Sequence, residues 1–578
     1  MKWRCEVNEN LSNQEIKLQY FIDYWEYFTA IKEDERTKLS HFKSLEQYSI
    51  NPILYNPKEL FKEFIDEIER KNLSNSNNKK FFIENVNNLI DLKLETLKFL
   101  ESTLKIIQQQ SSKKDDLLSA LKSTLKEMSD FRLGKECVKE LSKILFNDKE
   151  LESNDKESIK HLVRFIVFEL QHKGFSDKVI HEIKDGKVKV IEIFNDYFDS
   201  ETLSVKFIFQ VTGLIHNKNL KMGGVEIYNP FVKQFISKSE DDFNRKKEFF
   251  GRLDEEISLD SGLEKNKEES PTFCNIAIDI EMINDTENIE YEAYKAIKKA
   301  NLFFDVIASR YSELDSNIKV DKDYFIIVDN KGNFFGSKKH FEQYIPIILS
   351  NSIDMKSFNH PKEYQDYYAK LIENQSLNLL DTKISESLTW KRRALETESE
   401  NYAILSNWIC LENLFEIKGE NTIKNILNVA PKILAIVYKN QYSIDEGCVI
   451  LYNYWKSRKC NLSDRGKKII DGINDKECKI KRKDVLKKMI EFTEVESNNF
   501  KHNFYFDRLQ ELINYHKDCK LIEKYEDNQR QKLIFLYRLR NKIAHNANNK
   551  YSPIITYYKN FANYANNLFV SYFIDKRM

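Results

Sequence analysis

Arg540, Asn541 and His545 stand close together in the segment RLRNKIAHN, and side chains of these three types can act together on a phosphodiester. On a helix, Asn541 and His545 are four apart and share a face, while the long Arg540 side chain reaches the same rim from one step round. A guanidinium forks onto two phosphate oxygens, and an imidazole changes its protonation near neutral pH. RNA carries its own nucleophile, the 2′-hydroxyl beside each phosphorus. His545 would remove that proton as general base, or protonate the departing 5′-oxygen as general acid. Arg540 would orient the phosphate and stabilise the charge that develops on it, and Asn541 would hold the imidazole or the phosphate by hydrogen bonds. The products would be a 2′,3′-cyclic phosphate and a 5′-hydroxyl. No metal ion and no cofactor is needed in any of these steps.

The spacing alone says little. Arg-x4-His arises by chance in a chain of 578 residues, and RTKLSH repeats it with Arg36 and His41. What sets the C-terminal copy apart is its context. Leu533, Leu536, Leu539 and Ile543 recur at helical spacing, an Asn follows the Arg, and Asn546, Asn548 and Asn549 favour a helix end. Arg36 and His41 have neither the Asn nor a following amphipathic helix, and read as solvated helix residues. Arg538, Lys542 and the basic cluster at Lys481, Arg482 and Lys483 are candidate contacts to an RNA backbone. Glu477 and Asp484 dilute that cluster, and Arg538, two residues before Arg540, faces another way on a helix.

Other chemistries have weaker support. Asp279, Glu281 and Asp285 would suit a metal nuclease centred on a strand, and Asp279 and Glu281 point the same way. The acid-x-Lys element and partner carboxylate of such a site are not evident, and the wet face of an amphipathic strand explains these acids. No Gly-x4-Gly-Lys-Ser/Thr loop is present, which argues against ATP or GTP hydrolysis. His172 and His216 read as ordinary histidines. The eight cysteines include no Cys-x-x-Cys pair or zinc spacing and are expected to be reduced thiols. With no apolar leader at MKWRCEVNENLSNQEI and no apolar run of about 20 residues, the sequence reads as that of a soluble cytoplasmic protein without a membrane span.

The elements that must position the motif follow from composition and period. Hydrophobic residues make up 41% and charged residues 31%, with only 14 Gly and 8 Pro, which favours long helices in two or three domains. Basic and acidic residues number 91 each, so RNA contacts would have to come from local patches. The expected fold is mainly α with an α/β middle segment. Residues 1–180 read as helical, including one amphipathic helix over 81–107 and others at 117–128 and 158–172. Residues 181–361 read as an α/β domain with a small sheet. The runs KVKVIEIF, SVKFIFQVTG, GGVEIYN, CNIAIDIEM and DYFIIVD are its strands, with a helix over 289–311 and an exposed acidic loop at 253–270. Residues 362–578 return to helical period, with helices at 380–417, 422–438, 446–458, 484–515, 521–545 and 557–574.

The segment from about 380 to 578 resembles the HEPN superfamily, helical-bundle domains found in many RNA-cleaving defence proteins and toxins. RLRNKIAHN matches the Arg-Asn-x3-His signature of that family. The helix NWICLENLFE carries Glu412 within an apolar run, as the ApeA-like and abortive-infection members carry an acidic residue ahead of the motif. The stretch between Glu412 and Arg540 is longer than in a minimal member, which leaves the helix order open. The resemblance implies a HEPN-like bundle of four or more helices, a supporting role for Glu412, and a homodimer with its site where two copies meet. It also implies an endoribonuclease acting on tRNA or mRNA in anti-phage abortive infection, with a phage-derived trigger; that residues 1–361 restrain or direct it follows separately, since a free ribonuclease is toxic to its own cell. The alternative is a non-catalytic RNA-binding or dimerisation scaffold. A metal nuclease in the middle domain is a more distant third.

Overall fold

The computed structural model describes residues 12–29, 50, 52–69, 76–108, 114–128, 132–183, 190–212, 220–228, 273–283, 289–308, 318–329, 334–339, 362–373, 377–397, 399–456, 462–471, 482–546 and 553–577. Two compact units divide the chain. One joins Met1–Lys173, Ile180–Phe198 and Pro346–Met578; the other comprises Gly174–Val179 and Asp199–Ile345. The N-terminal and C-terminal helices therefore share a unit, although the chain between them builds the other.

Within the helical unit, α1 (Asn13–Thr29) buries Tyr20, Phe21, Tyr24, Trp25, Tyr27 and Phe28. Its partner is α11 (Phe504–Lys517): the rings of Tyr20, Tyr24 and Tyr27 lie 5.8, 5.2 and 5.1 Å from that of Phe504. Each such ring removes roughly 150–250 Å² from water, so this junction is core. Helix α2 (Pro57–Glu69) opens on a proline, whose missing N–H has no partner to lose at a first helical position. Its stripe Leu60, Phe61, Phe64, Ile65 and Ile68 is buried, and Phe64 stacks at 4.1 Å on Phe82 of α3 (Ser76–Asp91). Helix α4 (Ser153–Lys173) is buried along Ile159, Leu162, Val163, Phe165, Ile166 and Leu170.

Three expected helices are broken by local capping. The helix expected over 81–107 stops with α3, because Lys93 takes φ of +56° and the Glu140 carboxylate accepts the Glu95 and Thr96 N–H groups at 3.0 and 2.9 Å. A new helix, Leu100–Gln108, follows. The expected 380–417 helix is two, α7 (Leu379–Glu396) and α8 (Glu400–Phe415), with Ser399 Oγ accepting the Tyr402 N–H at the start of the second. After α9 (Thr422–Val437), the expected 484–515 helix is likewise α10 (Arg482–Glu496) and α11, the latter capped by Asn503 Oδ1 on the Phe506 N–H at 3.1 Å. The chain finishes with α12 (Cys519–Asn546) and α13 (Pro553–Arg577).

KVKVIEIF is the one expected strand that is not a strand. Residues 187–189 lie outside the described residues, and α5 (Val190–Asp199) is helical. Its Phe194 and Phe198 are four apart and both buried. Phe194 meets Trp25 at 5.0 Å and Phe21 at 6.3 Å, and a Cβ at Gly134 would stand 2.5 Å from Phe198. Packing at period 3.6 overrides the β preference of Val and Ile here.

The second unit is a six-stranded antiparallel sheet in the order β2-β3-β4-β1-β5-β6, with β1 Thr202–Thr212, β2 Leu220–Met222, β3 Val225–Tyr228, β4 Phe273–Ile283, β5 Lys319–Asp329 and β6 Phe334–Lys339. Val205, Phe207, Phe209 and Val211 of β1 and Ile276 and Ile278 of β4 form its core with Ala293, Ile297, Ala300 and Phe304 of α6 (Ile289–Ala308). The alternation expected from sequence is present, but the second face is not wholly wet: Ile208, Ala277 and Ile326 are buried there. The loop expected at 253–270 lies outside the described residues. No helix among the described residues is long and apolar enough to cross a membrane.

Candidate functional site

Leu533, Leu536, Leu539 and Ile543 are buried as their period predicts, which fixes the rotation of α12. Helix α8 crosses it with Trp408, Leu411, Leu414 and Phe415 buried. The indole of Trp408 lies 5.2 Å from the ring of Tyr537. One turn beyond each ring stand Glu412 and Arg540, and Arg540 Nη2 is 3.7 Å from Glu412 Oε1. That oxygen also accepts the Trp408 indole N–H at 2.7 Å, so the carboxylate is aimed by its own helix. Arg540 Nη1 donates to Asn541 Oδ1 at 2.9 Å. Arg540 and Glu412 are about one-third exposed, at 30% and 31%, so the guanidinium is oriented yet reachable.

The structure thus brings together Arg540, Asn541 and Glu412. His545 lies in the last turn of α12, with its side chain outside the described residues. Arg36, His41 and Lys481 are also outside them. Arg482 opens α10 with its side chain undescribed, and Lys483 is exposed in the same turn.

Arg538 and Lys542 are both engaged within the chain. Arg538, expected at an RNA backbone, has a side chain only 8% exposed, stacked over Phe81 and Phe82 at 5.2 and 4.9 Å. Its Nη2 lies 3.4 Å from Glu63 and 3.3 Å from Glu67 of α2. Lys542 Nζ donates to Glu63 at 3.1 Å and to Asp66 at 2.8 Å. Burial works against the Lys542 charge, yet the Glu63 and Asp66 carboxylates outweigh it and hold the ammonium above its usual range. Both cations already have carboxylate partners within the chain, because Glu63, Asp66 and Glu67 share one face of α2 and Arg538 and Lys542 one face of α12. Sequence reasoning missed this. The acid spacing on α2 was visible, but nothing local says what it faces.

Asn541 and Lys542 sit at one end of a cleft of about 1630 Å³ inside the helical unit. Carboxylates dominate the α2–α3 wall: Glu63, Asp66, Glu67, Glu84 and Asp91. The floor along α12 carries Lys520, Lys524, Arg530, Arg538 and Lys542 interleaved with Glu523 and Asp527, and α4 adds Lys160, His161 and Arg164 with Glu157.

In the sheet unit, Asp279 faces Lys206 across the β1–β4 ladder and is ion-paired with it, and its carbonyl accepts from Lys299 Nζ at 2.8 Å. A lysine rather than a second carboxylate balances Asp279. No group of three or more His, Cys, Asp or Glu among the described residues is arranged to hold a metal ion. Cys137, Cys410 and Cys519 are free thiols, whereas Cys448 is disulfide-bonded, against the expectation of uniformly reduced cysteines. No family model, no curated protein and no solved structure matches the chain.

Proposed function

We propose that this chain is a metal-independent endoribonuclease of the HEPN type, with Arg540, Asn541 and His545 as its reacting groups. The observation that carries the reading is the 3.7 Å approach of Arg540 to Glu412, two residues that the family resemblance singles out separately and that α8 and α12 bring to one rim with Asn541. In the reaction the RNA 2′-oxygen attacks the neighbouring phosphorus, a 2′-O–P bond forms and the P–O5′ bond breaks. The 2′ proton passes to a base and another is delivered to the leaving 5′-oxygen. His545 takes one of these proton transfers; a second chain, brought by homodimerisation, supplies the other. Arg540 neutralises charge on the non-bridging oxygens. The biological setting this suits is anti-phage abortive infection, with tRNA or mRNA as the substrate and a phage-derived trigger.

A second reading, a non-catalytic RNA-binding or dimerisation scaffold, draws on the same ion pairs: Glu412 on Arg540 and α2 on Arg538 and Lys542 are what a structural junction would also contain. Incubating the full chain with total RNA in EDTA, beside Arg540→Ala and His545→Ala, separates the two. Loss of a general acid or base costs on the order of 10²–10⁴-fold, so both variants should fall to near background while keeping the parent's melting temperature. Equal cutting by variants and parent would sink the assignment, and activity that EDTA abolishes would require a metal site elsewhere.

A further inference from the structure

Helix α2 carries Glu63, Asp66 and Glu67 at positions i, i+3 and i+4, a spacing that puts the three side chains on one face. Opposite them α12 presents Arg538 and Lys542, four apart and so also on one face. The two rows meet. Arg538 Nη2 lies 3.4 Å from Glu63 and 3.3 Å from Glu67, and Lys542 Nζ lies 3.1 Å from Glu63 and 2.8 Å from Asp66.

The two halves of this junction differ in burial. Arg538 is stacked over Phe81 and Phe82, and α2 is anchored along its buried apolar stripe, so that half is fixed structure. Lys542 and Asp66 stand at the open edge, 27% and 41% exposed. There an anion from solution can reach the ammonium without unpacking either helix. The place matters as well. Lys542 directly follows Asn541, which accepts from Arg540 Nη1 at 2.9 Å and lines the same end of the cleft as Glu63, Asp66 and Glu67. The position of His545 is three residues beyond Lys542, and positions three apart are neighbours on a helix surface. The cation beside the motif is thus held by α2.

Carboxylate and phosphate oxygens compete for the same ammonium donors. We propose that Asp66, supported by Glu63, stands in for an RNA phosphate on Lys542, so that α2 restrains strand binding at the motif until Asp66 is displaced. Glu63 and Glu67 stay with Arg538 when this happens, and the two helices keep their packing. An ion pair this open is weak and sensitive to salt, so the restraint lowers strand affinity without abolishing it. The inference rests on the RNA-binding part of the ribonuclease reading and holds equally for a protein that binds RNA without cutting it.

The test measures binding, not cutting. The full chain carrying His545→Ala is titrated, in EDTA, into a fluorescent oligouridine of about twelve nucleotides at roughly 50 to 300 mM NaCl. Asp66→Asn, with Asp66→Ala as a second variant, should bind roughly three- to tenfold more tightly at the lowest salt and melt where the parent does. The slope of log affinity against log salt should steepen by about 0.7, the share of one single-strand phosphate contact. In a Lys542→Ala background the same substitutions should change neither affinity nor slope. Equal affinity with and without Asp66, including no binding by any variant, overturns the proposal. So does a gain that persists undiminished in Lys542→Ala, because the carboxylate would then act only as general negative charge. Whether the chain cuts RNA is decided apart from this, by Arg540→Ala and His545→Ala in the cleavage assay, so either idea can fail alone.

Discussion

Glu412 Oε1 holds two partners at once: the Trp408 indole N–H at 2.7 Å and the Arg540 guanidinium at 3.7 Å. The first bond runs within α8 and orients the carboxylate. The second reaches α12 and orients the arginine. These two roles separate by mutation.

Glu412→Gln keeps an oxygen for Trp408 and removes the charge opposite Arg540. A pair this exposed contributes only ~0.2–1 kcal/mol, so the melting temperature should move little. RNA cutting should fall roughly tenfold through misplacement of Arg540. Glu412→Ala should cost a further 1–3 kcal/mol or so, because the indole N–H loses its partner. Unchanged cutting in Glu412→Gln would remove Glu412 from the site.

Arg538 and Lys542 should differ sharply in chemical denaturation. Arg538→Ala opens a void over Phe81 and Phe82 and takes one partner from Glu63 and Glu67, 11% and 16% exposed, while Glu63 keeps Lys542 at 3.1 Å. The cost should therefore be about 2–3 kcal/mol, below that of a fully uncompensated buried charge. Arg538→Lys should rescue little, since an ammonium cannot stack as a planar guanidinium does. Lys542→Ala, at a half-open pair with Asp66 41% exposed, should cost about 1 kcal/mol or less. Arg538→Ala folding as well as the parent while losing RNA affinity would restore Arg538 as a nucleic-acid contact.

Asp23 makes stability fall with rising pH. Burial holds its carboxyl up at about 8, with the Gln19 amide opposing and Glu26 adding to the rise. Unfolded, it titrates near 3.9. The folded chain therefore keeps a proton that the unfolded chain gives up, and the associated stability, complete below about pH 4, is lost as pH rises towards 8. Asp23→Asn, which still offers Gln19 an oxygen, should gain on the parent by up to ~1.4 kcal/mol per pH unit across that window. Parallel stability curves from pH 5 to 8 would refute the buried neutral acid.

His172 acts in the opposite sense. Burial depresses it to about 4, with Glu59 opposing and Lys62 and Lys58 assisting. Below about pH 6.5 the unfolded chain takes up a proton that the folded chain refuses, so stability present at pH 7 is lost towards pH 4. His172→Gln should therefore overtake the parent progressively as pH drops from 7 to 4.5. Melting temperatures at four or five pH values would decide it, and a constant difference would count against the shift.

Periodicity read well where packing is one-sided. The buried stripe of α12 and the alternation along β1 and β4 follow from spacing, because each element turns one main apolar stripe to a core, although Ile208 and Ala277 are buried on the second face as well. The breaks at Lys93, Ser399 and Asn503 were not legible, since the apolar period carries on across each and a polar side chain decides the matter locally. KVKVIEIF misled because its β-branched residues outweigh, on paper, the two phenylalanines that pack at helical spacing. In the candidate site, Arg540 and Asn541 stood out by type and order. The acid face of α2 did not, because Glu63 and Lys542 are 479 positions apart and one sequence cannot say that they meet.

That separation has a bearing on how the chain is made. Translation at about 5–20 residues per second leaves on the order of 25–100 s between the appearance of Glu63 and that of Lys542. For that interval the aromatic side of α1 and the phenylalanines of α2 and α3 wait without α11 and α12, a natural substrate for chaperones. The converse holds for the motif: when Arg538 and Lys542 leave the ribosome, the carboxylates that receive them have long been present. A nascent chain cut short before α12 carries the acidic helix α2 without the helix that bears Arg538, Arg540 and Lys542, so the acceptors are always made before the cations they receive.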